Sequence, residues 1–120
     1  MKIWSLLLLM CLGVVLAADE PDLSPAEVDD LSTYFPQVRY APIYPAEALD
    51  KNLDGYVEFS FTVQKDGTLR DVVVTESSDK VFEAAATRAV KMFRYAPRLE
   101  NGVIVETPGM TLRITFLLEE

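Results

Sequence analysis

Histidine is absent from the 120 residues, and cysteine occurs once, as Cys11. The side chain that titrates nearest neutrality, also the commonest zinc ligand, is therefore missing. With one thiol, no disulfide can close within the chain. Ser77-Ser78 lacks the Gly-x-Ser-x-Gly setting of a nucleophile elbow, and no glycine-rich phosphate loop occurs. Asp66 and Asp71 make a carboxylate pair near a turn, but an exposed tip is a poor place for acid–base work. Basic residues are scarce too, 11 against 19 acidic ones, for a net charge of −8. That sign repels nucleic acid and anionic membrane surfaces. The composition speaks against an enzyme, a metal or cofactor site, and a nucleic-acid partner.

What is present fits one domain of modest core, since half of the residues are hydrophobic. Met1-Lys2 gives a positive start, Ile3 to Leu16 is an apolar run interrupted only by Ser5, and Val15-Leu16-Ala17-Ala18 supplies small residues for cleavage. Residues 1–18 read as a secretory signal peptide. The run is shorter than the roughly 20 residues a spanning helix needs, and acidic residues follow it. The alternative is that residues 3–18 stay uncleaved as a membrane anchor, the one case in which the chain contacts a membrane. Lipidation at Cys11 would want a small residue before it, and Met10 is large.

Residues 19–38 read as an acidic, partly disordered leader. Asp19 to Asp30 carries six carboxylates, two prolines and no basic residue. Within it, Ser24-Pro25-Ala26-Glu27 has the residue order of a helix start. Tyr34-Phe35-Pro36 and Tyr40-Ala41-Pro42-Ile43-Tyr44-Pro45 then predict an extended path across the domain, because each proline biases its neighbour away from helix. Their rings serve either as packing against a sheet or as a recognition surface beside an open edge.

The domain proper is read over 39–120. Pro45 opens a short helix from Ala46 to about Lys51, with Gly55 as the residue that reverses the chain. From Gly55 to Glu76 runs a hairpin: Val57, Phe59, Phe61 and Val63 alternate with Glu58, Ser60, Thr62 and Gln64, and Asp66-Gly67 marks the turn. Asp79 is placed to cap the main helix, whose apolar stripe is Phe82, Ala85, Ala86, Ala89, Val90 and Phe93. Lys91, Arg94 and Arg98 gather at its C-terminal end, where cations suit the dipole. Val103-Ile104-Val105 is a candidate for brief edge pairing. Met110 to Leu118 alternates again and reads as the third strand. The fold class is two-layer α+β, a three-stranded antiparallel sheet on one main helix in the order α-β-β-α-β.

Several of these residues together resemble the C-terminal domain of the TonB energy-transducer family. They are Tyr44-Pro45-x-x-Ala48, Gly55-Tyr56-Val57-x-Phe59-x-Phe61-x-Val63, Asp66-Gly67 and Val72-x-Val74-x-x-Ser77. Phe82-Glu83-x-x-Ala86-x-x-Ala89, Arg94-Tyr95-x-Pro97, Gly102 and Leu112-x-Ile114-x-Phe116-x-Leu118 complete the series, which spans Arg39 to Leu118. The resemblance implies a periplasmic domain whose last strand captures an extended segment, the TonB box, of an outer-membrane receptor by β-strand addition. Carried over, Thr111, Leu112, Arg113, Ile114, Thr115 and Phe116 form the capturing edge, with Tyr44 and Pro45 at its flank. Two alternatives stay open: a minimal anchored transducer, and an envelope protein whose edges pair with each other as a homodimer.

Overall fold

A computed structural model describes residues 21–118. The segment read as a signal peptide, with Cys11, lies outside the described residues. In chain order the elements are strand β1 (Ala26–Glu27), a 3-10 turn (Leu31–Thr33), helix α1 (Ala46–Asp50), and strands β2 (Gly55–Val63) and β3 (Leu69–Ser77). A second 3-10 turn (Lys80–Phe82) runs into helix α2 (Glu83–Val90), followed by strands β4 (Arg98–Glu100), β5 (Val103–Val105) and β6 (Thr107–Phe116).

The main sheet is antiparallel with the order β3-β2-β6. Its register puts Val57 opposite Ile114, Phe59 opposite Leu112 and Phe61 opposite Met110. Paired residues share a face, so the apolar sets of β2 and β6 fall on one side. There Val57, Phe59, Phe61 and Val63 are buried together with the whole predicted stripe of the main helix. The α+β reading of the sequence holds: one amphipathic helix covers one face of a three-stranded sheet.

The Asp66-Gly67 turn forms as the sequence indicates. Gly67 takes φ +88°, and the Asp66 carboxylate accepts from Thr68 N at 3.0 Å and Oγ1 at 2.6 Å. Those two bonds hold the Asp66 carboxyl below its usual range. The tip does not project freely, because Tyr95 N donates to Gly67 O at 2.9 Å.

Five local expectations are corrected. Gly55 is not the reversal residue. Asn52 turns the chain at φ 54°, whereas Gly55 opens β2 because a Cβ there would overlap the Phe82 ring. Asp79 caps the 3-10 turn through Val81 N (3.0 Å), so the α-helix proper begins only at Glu83. It also ends early, at Val90, since Arg94 is drawn into a bridge with Val38: Val38 N donates to Arg94 O (3.0 Å) and Arg94 N to Val38 O (3.1 Å). Ser24–Glu27 does not start a helix; Ala26–Glu27 pairs in parallel with β4. Arg98 belongs to β4 rather than to a helix end, and its Nε donates to Thr107 Oγ1 at 2.7 Å.

That last residue anchors a second, smaller sheet of order β1-β4-β5. Thr107 is held inside, only 1 % exposed, Arg98 is half-buried beside it, and Gly102 N donates to Glu27 Oε1 at 3.0 Å. Aromatic rings fill both ends of the main core. Phe82 stacks on Phe116 (4.7 Å between centroids) with Tyr44 edge-on to both, while Tyr34 and Phe61 pack on Tyr95 at 4.9 and 5.9 Å. Tyr34, in the stretch read as leader, is thus a core residue, its hydroxyl donating to the Ala96 carbonyl.

Candidate functional site: the outer edge of the last strand

Strand β6 pairs with β2 on one side, and among the described residues no strand pairs with it on the other. Alternate N–H and C=O groups of such a strand point away from the sheet and are available to a further strand. Pro108 lies within β6, which fits an edge position, because a central strand would lose a ladder bond there.

The opposite edge, β3, is differently built. Asp71 takes φ 56° in mid-strand, and the β2–β3 register shifts twice. Bulges twist an edge away from regular pairing. Arg70 adds a charge there and binds Glu106 at 2.9 Å. β6 has its own register shift between Met110 and Thr107, where Gly109 takes φ 72°, but from Met110 to Phe116 it pairs without a shift and presents the more regular ladder of the two edges.

The structure distributes the eight residues read as the capture surface unequally. Thr111, Arg113 and Thr115 are exposed on the outer face, while Leu112, Ile114 and Phe116 face the helix, the last two buried. Arg113 is not an unpartnered cation. It binds Glu58 at 2.9 Å and lies 4.1 Å over the Tyr56 ring, so it reaches across β2 rather than out from the edge. Its charged form is favoured by the Glu58 bond, and the Tyr56 hydroxyl, donating to Glu76, titrates above its usual range. Tyr44 stands edge-on to Phe116 (5.5 Å) and donates to the Leu53 carbonyl, which fixes it at one end of β6. Pro45 is the N-cap of α1 and lines a separate cavity against α2, with Ile43, Val81 and Arg88.

Two further cavities follow one another along β6. The first, about 370 Å³, is walled by Gly109 to Leu112 on the strand and by Leu31, Ser32, Tyr34, Phe35 and Tyr95. The second, about 300 Å³, lies between Arg113 to Thr115 and Arg39 to Pro42, with Phe93 at its base. Residues 31–42 therefore form the far wall of a groove beside the open edge. Phe35 belongs to the stretch whose rings the sequence offered as a recognition surface beside an open edge, whereas Leu31 was not among the residues assigned to any such surface. The signal for Leu31 was weak but present: a bulky apolar side chain directly after the acidic run that ends at Asp30.

The fold is that of a small two-layer α+β domain completed by its own last strand. Residues 40–118 match the family model of the Gram-negative bacterial TonB protein C-terminal region, and the chain belongs to that family. It is 34 % identical over 65 residues to protein TonB of Pseudomonas aeruginosa, a match covering 53 % of this chain and 19 % of that protein. The match thus spans about a fifth of the length of that relative. Two solved structures are similar. The TonB C-terminal domain of Pseudomonas aeruginosa has a TM-score of 0.61 at 29 % identity, over 79 % of this chain and 95 % of that one. The TonB2 protein of Vibrio anguillarum gives 0.56 at 30 % identity, over 85 % and 100 %.

Proposed function

We propose that this chain is a periplasmic binding domain that captures an extended segment of an outer-membrane TonB-dependent receptor, in TonB-dependent transport or its regulation. Capture is by β-strand addition along Thr111–Phe116. The observation that carries this reading is the open outer side of β6, regular from Met110 to Phe116, set against the bulged and charged edge of β3. Backbone hydrogen bonds supply the affinity, and the groove beside the strand supplies selectivity. Family membership supports the class of partner.

The test is a titration of the full chain with overlapping peptides covering the N-terminal segments of outer-membrane receptors, read by amide hydrogen exchange. Peptide binding should slow exchange at alternate amides between Thr111 and Phe116 and leave β3 unchanged. Protection along β3, or no binding by any peptide, would sink the proposal. The leader is tested separately by intact mass from fractionated cells. A mass beginning at Ala18 or Asp19 in the soluble periplasmic fraction supports a freely diffusing domain. Among the described residues no helix is long and apolar enough to cross a membrane, and residues 3–18 lie outside them. A full-length mass in the inner membrane would instead favour the anchored transducer.

A further inference from the structure

The groove along β6 has a wall that the family match does not include. The matched region starts at residue 40, yet Leu31, Ser32, Tyr34 and Phe35 line the larger of the two cavities at the edge. The wall is held in place by ties at its C-terminal side. Tyr34 donates its hydroxyl to the Ala96 carbonyl, and Gln37 and Val38 bond to Arg94 at 2.8 and 3.0 Å. Between these ties and the strand, the lining is mainly apolar, from Leu31, Tyr34, Phe35, Tyr95, Met110 and Leu112, with the hydroxyl residues Ser32 and Thr111 among them.

Two of those side chains are left facing water. Phe35 is 61 % exposed and Leu31 40 % exposed, although both border a space of about 370 Å³. A cavity of that size, mainly apolar and already formed, is of the kind that takes a bulky side chain. The geometry also says where that side chain would come from. A residue added opposite Met110 or Leu112 places its side chain on their face of the sheet, toward the helix layer, where this cavity lies.

We infer that Leu31 and Phe35, together with Tyr34 and Tyr95, form a specificity pocket for one bulky apolar side chain of the captured strand. This rests on the strand-addition reading and adds to it that the segment upstream of the family domain selects the partner. The favoured partner is an extended segment of another envelope protein with an aromatic or large aliphatic residue opposite Met110 or Leu112. Phe35 and Leu31 close over that residue, and the β6 ladder holds its backbone.

The experiment uses the full chain and two fluorescein-labelled decapeptides. Both alternate threonine and valine between terminal lysines; one has a central phenylalanine and the other serine in its place. Fluorescence anisotropy should show the phenylalanine peptide binding about tenfold or more tightly, since burying such a side chain is worth that much. Phe35→Asp and Leu31→Asp should each bring the ratio close to one while the serine peptide binds as before. Phe35→Leu should restore most of the preference. Both positions are exposed, so thermal unfolding of the variants should match that of the unchanged chain.

Equal binding of the two peptides, or an unchanged ratio in both aspartate variants, overturns the pocket and leaves strand addition standing. Failure of both peptides to bind, with β6 exchange unaltered, removes strand addition and the pocket together. A concentration-dependent dimer in sedimentation that neither peptide displaces would make a second copy the occupant, which also overturns the inference.

Discussion

Gly67 and Gly102 both take positive φ, +88° and +81°, yet their surroundings differ. A Cβ on Gly67 would overlap the Tyr95 carbonyl oxygen, which is backbone and has no rotamer to retreat into, whereas a Cβ on Gly102 would meet nothing within 4 Å. Gly102→Ala should therefore show conformational strain alone, about 1–2 kcal/mol. Gly67→Ala adds steric displacement of the Tyr95 backbone and should cost about 3 kcal/mol or more. Urea denaturation of the pair separates the two effects, and equal losses would mean that the turn is not docked on Tyr95. The tyrosines make a second residue-level prediction. Burial pushes the Tyr95 phenol up to about 12, and burial likewise raises Tyr34, with Arg98 opposing. The neutral form is the one the fold favours, so this stability is fully present below pH 10 and is lost as pH rises towards 12. A spectrophotometric titration should show Tyr95 ionising only as the protein unfolds in that window.

At the scale of elements, the alternating pattern decided most of the architecture. Val57 to Val63 and Met110 to Phe116 each have one apolar face, and pairing them in register gives a sheet that a single helix can cover. A carboxylate at Phe61, only 3 % exposed and packed on Tyr95, has no polar partner to meet. Phe61→Asp should cost about 4 kcal/mol or more and leave the far-ultraviolet circular dichroism of an unfolded chain. A folded variant would mean that β2 presents its other face to the core. The boundaries of elements were less legible, for reasons specific to each. The helix stops at Val90 because Arg94 pairs with Val38, a contact 56 positions away in sequence that no local pattern announces. Gly55 looked like a turn residue, but its lack of a side chain serves the Phe82 ring instead. The open edge itself was visible as a one-faced terminal strand. The groove wall was legible only in part: the rings at Tyr34 and Phe35 were read as either packing or recognition, and Leu31 was not singled out, since the apolar residues there are too few and too irregularly spaced to show a period.

Across the whole molecule, the segment Arg94 to Pro97 is where distant parts of the chain are tied together. Ala26 bonds to Pro97, Tyr34 to Ala96, Val38 to Arg94, and the hairpin tip at Gly67 to Tyr95. Arg98 continues the series by joining Thr107 and the Val28 carbonyl. Arg98→Ala leaves the buried Thr107 hydroxyl without that donor and should cost about 1–3 kcal/mol. It should also loosen residues 21–33 from the small sheet. Limited proteolysis with mass detection should then show cleavage in that segment ahead of the domain, and an unchanged cleavage pattern would mean that Arg98 does not hold it.

The unpaired side of β6 also sets a condition on how much of this protein a cell can hold. Pairing between two copies rises with the square of their concentration, whereas capture of a different partner rises only in proportion to it. Dilution therefore favours the heterologous encounter, and overproduction favours the homologous one. The proposed capture would therefore be favoured at low copy number, with the partner in excess.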